Sequence, residues 1–349
     1  MRICKVLAST GKIKGGLERH FIDVSNALSA RHEVHVTVRH RNRQDFSSSV
    51  TAYTVDFTRS RRSPGLLIHM LALINRISPE ILHAHANKAA QIVSAIRPLL
   101  RNKGILVATL HSTKRQAQAY KSFDLVIGVS RRSLERLPGK NTQLIYNGLQ
   151  IDVKRRRGRQ CLADSFGLAD EKCRILFIGQ LARVKRVDVL LRAFRGVPQA
   201  CLLVVGDDEC SDELKALAAE LGLENCLFAG HRTDNIEILS SADLVVITSE
   251  REGFPCTLAK ALYLHAPVVS TDVSDVAMIL PGEYVVPVND HEQLHAVLTE
   301  VAVDYKAVAR DFKDAFSWAE DHLDFDHMTR RIEDAYRKTG EVVKGRAIS

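Results

Sequence analysis

The sequence predicts an α/β protein in which parallel sheets are wound with helices, divided into two domains. Three observations carry this expectation. Short β-rich apolar runs alternate with helical stretches along the whole chain, as strand–helix–strand units do. At 349 residues the chain is long enough to bury two ordinary cores. Near its middle, Asp152-Val-Lys-Arg-Arg-Arg-Gly-Arg159 loses apolar periodicity, which sets a boundary between residues 1–152 and 153–319. This basic run reads as a solvated linker, with membrane contact as the alternative.

In the first half the expected strands are 3–8, 34–38, 81–83, 105–109, 125–129 and 143–145, with helical patterns over 17–30 and 91–100. In the second half they are 175–178, 201–205, 227–229, 244–248, 268–270 and 284–286, with helices over 187–194, 212–221 and 258–264. Beyond His291, residues 304–319 and 327–338 carry apolar side chains at spacings of three and four, so the tail is helical. The last ten residues are expected to lack regular structure. No repeat of a solenoid period is present.

A hydrophobic content of 46% with 26% charged residues is that of a soluble globular protein. No apolar run is long enough to span a bilayer. The start, Met1-Arg-Ile-Cys-Lys-Val-Leu, reads as a first strand rather than a secretory signal. Seven scattered cysteines without a C-x-x-C pair fit reduced thiols in the cytoplasm, not disulfides or a metal site. Charge is unevenly placed. Residues 1–160 hold 29 Lys and Arg against 9 Asp and Glu, whereas 161–349 hold 20 against 32. The basic half is expected to face something anionic, either a phospholipid surface or a phosphorylated glycolipid. With 6% aromatic residues and no interleaved stacking residues, nucleic acid is not expected as a partner.

The motifs follow the strand ends. Gly15 and Gly16 lie between the first strand and the helix from Leu17, where they permit a tight turn and close approach of a ligand to backbone. His83 and His85 share one face of a strand, and His111 ends the next. Open α/β sheets keep their ligands at such ends. The strand at 175–178 leads into a loop with Arg183, Lys185 and Arg186, a cation cluster suited to a diphosphate. Asp207-Asp208 is either an acidic metal dyad or a turn that caps the following helix, the second reading being the simpler. The richest stretch is Ser249-Glu-Arg-Glu-Gly-Phe-Pro-Cys-Thr-Leu-Ala-Lys260. It joins an apolar strand to a helix through a glycine turn, so it offers free N–H groups and a positive helix end to a phosphate, with Glu252 alongside.

In this order the motifs resemble those of the family 4 retaining glycosyltransferases. The resemblance runs over nearly the whole chain. Its carriers are Gly15-Gly16 with Glu18, His83-Ala-His85, Thr109-Leu-His111, Val126-Ile-Gly-Val-Ser130, Ile145-Tyr-Asn-Gly148, Gly179 to Lys185, Phe228-Ala-Gly230, Glu252-Gly-Phe-Pro255 and Phe316-Ser-Trp318. It implies the GT-B fold, two Rossmann-like domains with parallel sheets facing across a cleft, and a C-terminal helix over 320–338 that crosses back onto the first domain. It implies transfer of a sugar from a nucleoside diphosphate sugar to a saccharide or glycolipid, as in lipopolysaccharide core synthesis. No metal or cofactor is expected, and the protein would be cytoplasmic, with peripheral contact to an anionic membrane.

By the same resemblance His111, Lys185 and Glu252 would be catalytic. Donor binding would involve Gly15, Gly16, Arg183, Gly253, Phe254, Pro255, Thr257, Leu258 and Lys260. Three departures stand out. Gln180 replaces the usual Arg, His265 a frequent Gly, and Lys260 the second Glu of the family's E-x7-E pattern. A lysine cannot accept hydrogen bonds from a ribose diol. Two rivals follow, a GT-B protein that binds a glycan without catalysis and a GT-B sugar-nucleotide epimerase or phosphorylase.

Overall fold

The computed structural model describes every residue except 10–14, 40–43, 103, 112–116, 136, 138–140, 169–170 and 349. Two units emerge, Met1–Gly148 with Phe325–Ser349, and Leu149–Asp324. Each is built on one parallel sheet.

The first unit contributes β1 (Arg2–Leu7), β2 (Glu33–Val38), β3 (Val50–Thr54), β4 (Ile81–His85), β5 (Ile105–Leu110), β6 (Leu125–Gly128) and β7 (Thr142–Leu144). They lie in the order β3-β2-β1-β4-β5-β6-β7, all parallel. Every residue of β1 after Arg2 is buried, as expected of a parallel strand covered on both faces. One face packs on the helices Pro64–Ile77 and Ala86–Ile96 through Met70, Ile74, Ile92 and Val93. The other packs on Gly16–Ser29 and on the C-terminal helix Phe325–Ile348, through Phe21, Leu28, Met328, Ile332 and Tyr336. Arg31 and His32 fix that C-terminal helix by their contacts with Glu333, both at 2.8 Å.

The second unit contributes β8 (Cys173–Ile178), β9 (Ala200–Val205), β10 (Cys226–Gly230), β11 (Leu244–Ile247), β12 (Val268–Thr271) and β13 (Val285–Val286). Their order is β10-β9-β8-β11-β12-β13, again all parallel. In both sheets the chain starts in the middle, winds one way, then returns to wind the other way. The turning points are β1/β4 and β8/β11. There the loops leaving adjacent strand ends diverge and open a crevice.

Three expectations need correction. β3 is an additional strand. Its Val-Thr-Ala-Tyr-Thr buries Val50 alone, so it has no apolar run to announce it. The basic stretch 152–159 is not a solvated linker. Arg155 grips Glu237 at 2.8 and 3.0 Å, Arg156 donates to the Tyr263 carbonyl at 2.7 Å, and Arg159 pairs with Asp243 at 2.8 Å. These arginines fasten the segment to the second unit. The end of the chain is not irregular either, since the last helix runs to Ile348. Among the described residues no helix is long and apolar enough to cross a membrane.

The close approach of the chain at the ends of β8 and β9 depends on a glycine. A Cβ on Gly206, whose φ is +139°, would fall 1.8 Å from the Gly179 carbonyl oxygen. Gly222 also has positive φ, at +66°, yet a Cβ there would meet nothing. Gly222→Ala should therefore cost only about 1–2 kcal/mol of backbone strain. Gly206→Ala should cost distinctly more, because β8 and β9 must separate. Urea unfolding of the two variants checks this, and equal midpoints would contradict the close approach.

Candidate functional site

Lys185 and Glu252 are 67 residues apart in sequence and meet at the turning point of the second sheet. Lys185 follows β8 and Glu252 follows β11, which pair directly. The Lys185 ammonium donates to Glu252 Oε1 at 2.5 Å. Ser249 Oγ donates to the same oxygen at 2.8 Å. Among the described residues Oε2 takes no bond. The pair is partly open, with side chains 26% and 15% exposed.

The surrounding backbone holds it there. Thr248 Oγ1 donates to the Lys185 carbonyl at 2.8 Å, and the Glu250 N–H to the Val184 carbonyl at 2.8 Å. Thr271 Oγ1 bonds the Ser249 carbonyl at 2.7 Å. After Pro255 the helix Cys256–Tyr263 begins, and its N-cap residue, a proline, supplies no side-chain cap. The N–H groups of Cys256, Thr257 and Leu258 are thus the orphan donors of its first turn. Thr257 spends its hydroxyl proton on the Ile178 carbonyl at 3.1 Å, which ties this helix end to the tip of β8. Gly253, Phe254 and Pro255 are buried beneath the turn, and Leu258 is wholly in the core. These residues offer backbone, not side chains, to a ligand.

Not every expected donor joins the group. Arg183 is 83% exposed and faces Glu213 at 3.9 Å. It lies with Lys185 in a three-residue 3-10 turn. At three residues per turn, side chains two apart point in different directions. Arg186 is held by Asp188 at 2.9 Å. Gln180 Nε2 reaches Asp208 Oδ2 at 3.3 Å. Asp207 accepts from the Asp208 N–H at 3.0 Å and from the Ser211 hydroxyl, so this acidic pair is a turn at the start of the next helix. The ammonium of half-buried Lys260 has no hydrogen-bond or ion-pair partner among the described residues. Burial pushes the Cys256 thiol up, while Lys260 and Lys185 oppose the shift and Glu252 adds to it. Cys256 therefore lies within the field of all three charges.

The first unit gathers its own polar group at the β1/β4 turning point. Gly15 and Gly16 stand at the start of the helix Gly16–Ser29, where close approach of a ligand to backbone is the expectation. The Glu18 carboxylate already accepts the Gly15 N–H at 3.0 Å and the Ser9 hydroxyl. An anion at this turn would meet that carboxylate, so Gly15 and Gly16 suit a hydroxyl better than a phosphate. Behind the turn lies a buried cluster. Lys5 is fully buried, its ammonium 3.5 Å from the Phe21 carbonyl and 4.8 Å from the Phe21 ring centre. His83 bonds Tyr336 Oη through Nδ1 at 2.6 Å and Thr109 Oγ1 through Nε2 at 2.7 Å. His85 Nδ1 lies 3.2 Å from Nε2 of half-buried His111, and the His20 ring meets His111 edge-on at 5.6 Å.

Ser249, Lys5, His20 and Tyr336 were not among the sequence candidates. Ser249 sits three residues before Glu252, a spacing that could have suggested the contact. Lys5 is a lone cation inside an apolar strand run, a mismatch that could have raised it. Nothing local points from Tyr336 to His83, 253 residues earlier.

Two family models match the chain. Residues 14–153 match Glycosyltransferase Family 4, and residues 159–315 match Glycosyl transferases group 1. The N-acetyl-alpha-D-glucosaminyl L-malate synthase of Bacillus anthracis is 25% identical over 238 residues, 62% of each chain. The chain thus spans less than two thirds of that relative's length. Among solved structures, Anabaena HepE in complex with UDP and glucose superposes with a TM-score of 0.80 at 20% identity, over 96% of this chain and 99% of that one. WaaG, a glycosyltransferase involved in lipopolysaccharide biosynthesis, gives 0.71 at 18% identity, over 96% and 99%.

The buried cluster makes the first unit sensitive to acid. Burial, then the charge of Lys5, holds His83 well below its ordinary pKa, and burial followed by His83 and Lys5 does the same to His85. His20 is lowered by burial, His111 and Lys5; His111 is brought to about 3 by burial and Lys5. Burial takes Lys5 itself to about 7, and burial also raises the Tyr336 phenol, which stays neutral. Below about pH 6.5 the unfolded chain takes up histidine protons that the folded chain refuses, so stability must fall as pH falls. Each fully buried histidine contributes up to about 1.4 kcal/mol per pH unit in that range. Urea midpoints should drop clearly between about pH 7 and pH 5; a flat profile would mean the cluster is hydrated.

Proposed function

The chain belongs to the family 4 glycosyltransferases of group 1, and on that premise we propose that it moves a sugar from a nucleoside diphosphate sugar to a saccharide or glycolipid hydroxyl with retention of configuration. The observation that carries this reading is the Lys185–Glu252 contact beside an uncapped helix N-terminus, at the turning point of a nucleotide-binding type of sheet. In the resting protein the two charges neutralise each other. An incoming diphosphate, carrying more charge than one carboxylate, draws the Lys185 ammonium towards itself. Glu252 then has both oxygens free to accept sugar hydroxyls, with Ser249 keeping it in place.

In the transfer the bond from the anomeric carbon to the diphosphate oxygen breaks as the acceptor oxygen bonds the same face of that carbon. The acceptor's proton ends on the departing diphosphate. Negative charge grows on the leaving group. Lys185 and the N–H groups of Cys256, Thr257 and Leu258 are aimed at that charge, so protein donors do the work a metal ion does elsewhere. His111 touches the sugar or the acceptor. Lys260 cannot hold a ribose diol as an acceptor, so the nucleotide is gripped by donation from its ammonium or by backbone. The Anabaena HepE complex with UDP and glucose, and the involvement of WaaG in lipopolysaccharide synthesis, support a nucleotide-sugar donor and a cell-surface glycan acceptor. The excess of Lys and Arg in residues 1–160 supports an anionic acceptor or one at an anionic membrane.

Calorimetry with a panel of nucleoside diphosphates should give heat for at least one of them, and silence towards all would replace the enzyme with a glycan binder. Lys185→Ala should lower transfer by roughly 10²–10³-fold. Undiminished turnover in that variant would remove Lys185 from the reaction. Acceptor affinity should weaken steeply with salt if the acceptor is anionic, and stay level if it is neutral.

A further inference from the structure

The His85 ring has one nitrogen, Nε2, that is buried without a partner among the described residues, while its Nδ1 lies 3.2 Å from Nε2 of His111. Together these facts locate two protons. Both rings are neutral in their buried surroundings, so each carries a single N–H. One proton must lie within the 3.2 Å contact. If His111 supplied it, His85 would keep its own on Nε2, and an N–H would be buried with no acceptor. Such orphan donors are among the rarest and costliest groups in folded proteins. If His85 supplies the proton, Nε2 is a bare lone pair, a smaller loss.

We infer that His85 is a positioning residue that donates its Nδ1–H to Nε2 of His111, so that His111 carries its proton on Nδ1 and serves as a hydrogen-bond donor to substrate oxygen. Nδ1 of His111 has no partner among the described residues, so its N–H is unspent. His111 can then give a hydrogen bond to a hydroxyl or carboxylate oxygen of the sugar or acceptor, but through Nδ1 it cannot act as a base. The assignment of substrate rests on the reading that His111 touches sugar or acceptor; the proton positions do not.

The setting keeps His85 from choosing another arrangement. The His83 ring packs against it at a tilt of 33°, centroids 4.1 Å apart, and both nitrogens of His83 are bonded, to Tyr336 and Thr109. Flipping His83 would break both bonds. Phe21 closes the other side, edge-on at 4.9 Å. The His85 ring is therefore held by aromatic contact in the plane that reaches His111.

The test uses the full-length protein labelled with nitrogen-15 histidine, without substrate, at about pH 8, above the ordinary histidine range. Long-range nitrogen–proton spectra show which nitrogen of each ring is protonated, and loss of one signal in His111→Gln assigns it. His111 should show Nδ1–H in the unaltered protein. His85→Asn, whose amide nitrogen stands near the place of Nδ1, should preserve that form, and His85→Leu should lose it. Transfer should fall about 10–100-fold in kcat for His85→Leu with donor KM little changed, part of what a preorganised donor is worth, and recover in His85→Asn. Finding Nε2–H on His111 in the unaltered protein overturns the inference, as does unchanged His111 protonation or unchanged kcat in His85→Leu. Should His85→Leu fail to fold, the unaltered protein and His85→Asn still decide. If the unaltered protein transfers no sugar, the enzymatic reading fails while the spectra still decide the proton positions.

Discussion

Strands buried on both faces leave only their ends to meet water, and this constraint arranges nearly everything polar in the protein. The middle strands β1, β4, β8 and β11 carry helices above and below, so their residues are spent on the core. Chemistry is confined to the loops that leave their carboxyl ends. Because each sheet reverses its winding once, two such loops diverge at one place per sheet, and residues remote in sequence meet there. Lys185 with Glu252 is the result in the second unit. In the first, Lys5 and His83 lie side by side on β1 and β4, and His85 reaches His111 just past the neighbouring β5.

The first unit breaks the rule in one respect, and the break has a physical logic. Lys5, His83 and Thr109 continue a polar column inward from the strand ends, on the face covered by the first and last helices. Burying such groups is costly unless they are bonded or neutral. The structure meets both conditions. His83 is satisfied at both nitrogens, and Lys5 loses much of its tendency to stay charged near neutral pH. A column of this kind cannot slide or rotate as an apolar core can, since any shift leaves a polar atom unpaired. Tyr336 adds the C-terminal helix to this arrangement, so the last helix of the chain fixes a ring in the fourth strand of the first.

How much of this was legible in the sequence depended on whether the signal was local. Strand runs such as Leu244–Ile247 and the helix Val187–Phe194 are read directly, because apolar residues at the right period need no distant partner. The short, half-exposed β3 has no such period. The arginines of 152–159 show the opposite failure, since a basic run looks the same whether solvated or bonded, and only the positions of Glu237, Asp243 and the Tyr263 carbonyl decide. In the site, a cation near the end of β8 was readable but not which cation turns inward. That choice belongs to the 3-10 turn and to the left-handed Arg186 that follows, φ +49°. His265 is similar. It stands in left-handed backbone at φ +61°, where glycine is cheapest, and its ring stacks on Phe316 at 4.9 Å and bonds Glu320 at 2.8 Å. The strain is offset by contacts the sequence does not announce.

The Lys185–Glu252 pair also shows how opposite charges at a strand end can hold one another. Two like cations at the tip of β8 would repel each other and wait unpaired for an anion. Here one cation is directed to solvent and Glu213, and the other is neutralised by the carboxylate that the reading above assigns to the sugar. The paired side chains thus carry little net charge locally, apart from Lys260 nearby. A partly exposed pair of this kind contributes modestly to stability, on the order of 1 kcal/mol or less. Separating it therefore costs little, which under the proposed function leaves the ammonium ready for a diphosphate. A stronger pair would hold the fold better and, under the proposed function, would yield its lysine to a substrate less readily. The partial exposure of both side chains is what keeps this pair on the usable side of that balance.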